Sequence, residues 1–162
     1  MKQVIYFLSV LLLAACGGGS FSKGVKKDIT TGLSSSYNGF SVDDIYLSDD
    51  KGNKLSSNKV ALGSALLLVA SGVENYKLVN GKAYPGCTII LTDKNKKELL
   101  NLPDAFASLS DGLPAAEATE LKATLTTGAP MQAGETYELY VHFYDKQNVT
   151  SGITSTVKLL AL

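Results

Sequence analysis

The chain has 162 residues, 45% of them hydrophobic, and a formal net charge of +0. That size and balance suit one folded domain with its own core and exclude a chain dominated by like charges. All 15 basic residues are lysine; without arginine's bidentate fork the chain is poorly equipped to read phosphates and bases, so nucleic acid is excluded as the expected partner.

The first element is an export signal. Met1-Lys2-Gln3 gives a basic start, Val4 to Leu13 an apolar run, and Ala14-Ala15 small residues before a cut. An apolar run of roughly 10–14 residues falls short of the about 20 that a membrane-spanning helix needs. Leu13-Ala14-Ala15-Cys16, with Gly17-Gly18-Gly19 behind it, resembles the lipobox of bacterial lipoproteins. The resemblance implies that residues 1–15 are removed and that Cys16 is acylated, which makes the membrane a partner of the chain. It also implies an outer-membrane address in a Gram-negative envelope, because Gly17 is not the aspartate that retains some lipoproteins at the inner membrane. Residues 16–38 then read as the acylated cysteine and a flexible tether, rich in Gly, Ser, Thr and Lys without periodic apolar positions.

From residue 39 to 162 the pattern is β. Phe40, Val42, Ile45 and Leu47 lead to the turn cluster Ser48-Asp49-Asp50-Lys51-Gly52-Asn53. The unbroken run Leu66-Leu67-Leu68-Val69 predicts a central strand covered on both sides. Asn80-Gly81 predicts a tight turn. Cys87, Ile89 and Leu91 then share one strand face. Leu102–Leu109 and Pro114–Leu121 have the proline-then-alanine composition of helix starts, and are expected to be short helical crossovers. Leu121–Leu125 alternates again.

The strongest strand signal is Tyr137–Tyr144. Tyr137, Leu139, Val141 and Phe143 fall on one face, and Glu138, Tyr140, His142 and Tyr144 on the other. Ile153–Leu159 closes the fold. Many strands with turns between them and few helices predict an antiparallel β-sandwich, with an immunoglobulin-like Greek key as the preferred topology. The Cys…Trp…Cys hallmark is absent. A faint echo, Gly81…Asp93-Lys94 and Gly134…Asp145-Lys146, reads as two similar strand–turn units rather than a duplication. The stretch from 40 to 160 resembles the immunoglobulin-like lipoproteins of Gram-negative envelopes, a likeness that carries over no functional residues.

Chemistry is sparse. No nucleophile elbow, zinc-binding helix motif, phosphate loop or dinucleotide fingerprint occurs. The chain has 2 Cys and 1 His. With Cys16 assigned to lipid, Cys87 stands alone and reads as a core residue; a Cys87–His142 nucleophile–base pair is the alternative. Asp43-Asp44, Asp49-Asp50 and Asn53 offer oxygen ligands of the kind Ca²⁺ takes, without EF-hand spacing, and read first as turn formers. No cofactor, metal or enzyme activity is expected. The one candidate binding surface is the outward row Tyr140, His142 and Tyr144, which would stack on a sugar ring or anchor a protein. The expected function is a non-catalytic, lipid-anchored module for an envelope protein or a glycan. The alternative is a Ca²⁺-dependent module or a carboxylate-based hydrolase.

Overall fold

The computed structural model describes residues 22–162. The expected signal peptide and the expected lipid-attachment residue Cys16 lie outside those residues. The strands are β1 (Lys23–Lys27), β2 (Ser34–Asn38), β3 (Asp44–Asp49), β4 (Lys59–Val60), β5 (Ala65–Ser71) and β6 (Lys82–Ala83). They continue with β7 (Pro85–Thr92), β8 (Glu98–Leu102), β9 (Leu113–Pro114), β10 (Glu120–Thr126), β11 (Thr136–Asp145) and β12 (Asn148–Ala161). The expected all-β class holds.

Two antiparallel sheets face each other across one core. The larger runs β1-β2-β12-β11-β7-β8, with the short β4 lying parallel to the end of β12; the smaller runs β10-β5-β3. β6 and β9 form a separate two-stranded ribbon. The chain first changes sheet between β2 and β3, touches the larger sheet again at β4, and later crosses between β5 and β7, between β8 and β10, and between β10 and β11. That crossing makes β5 and β10 neighbours and leaves β7 beside β11.

Alternation explains the core. On β11, Tyr137, Leu139, Val141 and Phe143 are each at most 4% exposed, while every outward-facing position stays at least partly open. Opposite them, Leu66, Leu68 and Ala70 of β5 point inward. β5 is the central strand of its sheet, as its apolar run predicts. Its reverse face is covered by side chains rather than by a further layer. Val69, 2% exposed, sits in register between Tyr46 and Lys122, and Lys54 lies over the Tyr46 ring 4.1 Å from its centre.

Asn80 and Gly81 both adopt positive φ between the paired Val79 and Lys82, which is the two-residue hairpin turn expected of that dipeptide. At the β10–β11 corner the buried Tyr137 hydroxyl accepts the Gln132 N–H at 2.7 Å. The bond has the form of a tyrosine corner, a tyrosine hydroxyl tied back to backbone a few residues upstream. The two halves of the faint repeat end in Asp93 and Asp145, each of which accepts backbone N–H groups of the turn that follows.

Two expectations are corrected. Residues 23–38 are not tether: β1 and β2 form a hairpin whose second strand pairs with β12, so the folded domain begins near Ser22 rather than at residue 39. The inward positions there are small or polar, which hid the alternation. Ser35 is 2% exposed and shares a 2.8 Å hydrogen bond with the buried Ser155 hydroxyl, while the Tyr37 ring covers the bare face of Gly24. Of the two expected helical crossovers, Ala115–Thr119 is a 3-10 turn. The segment after Leu102 is a series of turns without helix, because the Asp104 carboxylate accepts the N–H groups of Phe106 and Cys87 and draws the chain back onto β7.

Candidate functional site

The outer face of the larger sheet carries the predicted row. Tyr140, His142 and Tyr144 all project from β11 away from the core and are all partly exposed. In register across the sheet, Tyr144 lies between Gly86 of β7 and Gly152 of β12; His142 lies between Thr88 and Thr154, with Ser36 beyond. Tyr140 lies between Ile90 and Thr156, with Ser34 beyond.

The two glycines are what allow the rings to lie across their neighbours. A side chain at Gly86 would overlap the Tyr144 ring, and one at Gly152 would meet His142 Cε1 at 2.6 Å. Bare backbone on both flanking strands thus lets the rings of His142 and Tyr144 come together, with centres 5.6 Å apart and planes 18° from parallel. Tyr140 joins no aromatic pair among the described residues, so the structure assembles two of the three predicted residues and leaves the third alongside.

The ring pair itself carries no charge. His142 Nδ1 lies 3.0 Å from the Thr154 hydroxyl. Burial pushes the imidazole below its ordinary range, partly opposed by a backbone hydrogen bond with Ile153, so the ring is uncharged at neutral pH. Burial, reinforced by the charge of Asp104, raises the Tyr144 phenol, which stays protonated. Beside His142 opens a hollow of about 270 Å³ lined by Lys23, Val25, Ser36, Val149, Thr154 and His142. Its lining mixes hydroxyls with exposed apolar side chains: Val25 is 66% and Val149 94% exposed. A stacked ring pair, hydroxyls from two strands and one lysine make a surface suited to recognition.

Sequence reasoning missed Lys23, Val25, Ser36, Val149 and Thr154, because they come from elements distant in the chain and share no local spacing. The signal that was available is glycine inside strand patterns. Gly86 and Gly152 interrupt otherwise apolar or β-branched runs, which marks a close approach by another group.

The other sequence candidates resolve as structure. Cys87 is fully buried on the core face, where it pairs with Phe143, and burial, with the nearby Asp104 charge, pushes its thiol up to about 12. His142 faces the other way, so the Cys87–His142 pair does not form. Asp104 meets Lys146 at 2.7 Å. Burial works against its ionisation, but Lys146 and the N–H groups of Cys87 and Phe106 hold the carboxyl below its usual value. Asp49 is consumed by its own turn, accepting N–H groups from Lys51 and Asn53, and Asp44 pairs with Lys54. Among the described residues no three His, Cys, Asp or Glu side chains converge on a metal site, and no helix is long and apolar enough to cross a membrane.

No family model matches the chain, and none of the curated proteins searched matches it in sequence.

Proposed function

We propose that the chain is a lipid-anchored envelope lipoprotein, held by Cys16, whose immunoglobulin-like domain is a non-catalytic recognition module for a glycan. The observation that carries the reading is the His142–Tyr144 ring pair laid over Gly86 and Gly152, on a sheet face lined with serine and threonine hydroxyls. Sugars present flat C–H faces that pack on aromatic rings and hydroxyls that exchange hydrogen bonds, and the neutral imidazole and phenol supply both without charge. The tyrosine corner supports the immunoglobulin-like assignment, and the Leu13-Ala14-Ala15-Cys16 motif supports the anchor. The non-catalytic part of the reading is supported by the positions of the reactive groups: the thiol is sealed in the core, the buried Asp145 carboxylate is taken up by the N–H groups of Lys77 and Gln147, and Asp104 is paired with Lys146.

The test is titration of the soluble domain with oligosaccharide fragments of envelope peptidoglycan and lipopolysaccharide, in wild type and in Tyr144→Ala and Tyr144→Phe. Loss of one aromatic contact should weaken binding about tenfold in the alanine variant, and the phenylalanine variant should keep the stacking part. Equal affinities in wild type and the alanine variant would remove the ring pair from the proposal. Absence of glycan binding together with capture of an envelope protein through the same face would replace the ligand class.

A further inference from the structure

The early start of the fold constrains where the domain sits. Ser22 already accepts the N–H of Gly39 at 2.7 Å, so the packed domain begins there. The sequence places five residues, Gly17 to Phe21, between Cys16 and that point of entry, so Ser22 is the sixth residue after the cysteine. Six residues reach at most about 22 Å fully extended, and about 13 Å as a Gly-rich coil. β11 alone, at ten residues, runs about 33 Å. An anchor at Cys16 therefore cannot hold the far end of the sandwich, near Leu62 and Leu162, at a membrane while Ser22 stands away from it.

The end that holds Ser22 is defined by direct bonds. Asn38 Nδ2 donates to the Thr150 carbonyl, Asp145 accepts the Lys77 N–H at 2.7 Å, and the Lys146 N–H reaches the Tyr84 carbonyl. These bring the β11–β12 turn, the loop around Lys77 and the start of β1 to one end. That end displays large apolar side chains, Val149 at 94% and Leu78 at 48% exposure. Val149 is not on a loose tip. The register jumps from Tyr144↔Gly152 to Asp145↔Asn148, leaving residues 149–151 as a bulge. The Asn148 side chain accepts from the Thr150 N–H and hydroxyl and donates to Ser151, fixing the bulge. A rigid bulge that holds a valine in solvent is a presenting device, since bulges re-aim side chains. Charges of both signs stand at this end, Lys23, Lys26 and Lys77 beside Asp43 and Glu74.

We infer that the end of the sandwich carrying Ser22, Leu78 and the Val149 bulge rests on the lipid surface, with Val149 in the headgroup layer and the Asp49–Asn53 turn pointing away. The inference rests on the proposed acylation of Cys16. It turns the glycan-binding face into a side wall that rises from the membrane.

The experiment uses the full acylated chain in vesicles of phosphatidylethanolamine and phosphatidylglycerol. With Cys16 acylated and Cys87 buried, a cysteine introduced at Val149→Cys or Asn53→Cys is the reactive thiol for an environment-sensitive fluorophore. The label at 149 should shift to the blue on vesicles and be quenched by nitroxide-bearing lipids, whereas the label at 53 should emit as in water. Equal emission from both sites, or a shift at 53 alone, in protein that floats with the vesicles overturns the docking and leaves the anchor standing. Protein that fails to float overturns the anchor, and the inference falls with it.

Discussion

On β11, adjacent residues have different jobs, and the difference is testable by substitution. Val141 is fully buried between Ile89 and Ser155, so Val141→Ala should cost about 1–3 kcal/mol, the loss of two methyl groups plus a small cavity. Tyr140→Ala, on the partly exposed face, should cost less. Urea denaturation of both variants gives the comparison, and a larger loss at Tyr140 would mean that the outer face is structural. His142 adds a pH dependence. Its ordinary value is 6.5 and burial in the folded state lowers it, so below about 6.5 the unfolded chain binds a proton that the folded chain resists. The contribution of His142 is therefore complete above about pH 6.5 and is lost as pH falls toward the folded-state value. His142→Gln should flatten the fall in melting temperature between about pH 7 and 5; parallel curves for the two proteins would show that the ring is not desolvated.

Among the elements, the β1–β2 hairpin has the largest consequence, because it covers the edge of β12. A chain starting at Phe40 would leave the β2-facing backbone groups of β12 between Gly152 and Thr156 unpaired, along with a lone Ser155 hydroxyl. An uncovered strand edge templates intermolecular pairing. The shortened protein should melt lower and associate, as read by thermal unfolding and sedimentation, while the chain from Ser22 stays monomeric. If both behave alike, the hairpin is an accessory rather than part of the sheet. The outer strand β1 is protected differently: Lys23 and Lys27 are exposed at its ends, and charged side chains discourage a further strand from adding.

For the whole molecule, anchor and fold are separable. Cys16→Ala should abolish incorporation of labelled fatty acid and release the protein from the membrane fraction, with the domain's melting temperature unchanged because Cys16 precedes the packed residues. Fatty acid incorporated equally into the variant would end the lipoprotein proposal. Wild type should resist extraction by salt, since the acyl chains expected of a lipoprotein exceed the two signals needed for stable anchoring.

The sequence by itself determined the elements whose information is local. The period-2 alternation of Tyr137–Tyr144 assigns each side chain to a face, the apolar run at Leu66–Val69 marks a central strand, Asn80-Gly81 demands positive φ, and Cys87 in an apolar strand reads as core. In each case neighbouring residues carry the cause, and the structure agrees. Only the tertiary structure decided that residues 23–38 are sheet. Their inward positions, Gly24, Ser35 and Tyr37 among them, lack the apolar period; Ser35 is buried because β12 offers Ser155 to receive it, and Tyr37 is partly buried beside Ile153 and over Gly24. The same holds for the site. Tyr140, His142 and Tyr144 were visible as a row, but the pairing of two of them depends on Gly86 and Gly152, which lie 66 residues apart and meet only across β11. Local periodicity reports which way a side chain points. What it meets there is set by strands brought together from the whole length of the chain, through contacts that leave no mark in the spacing of any one segment.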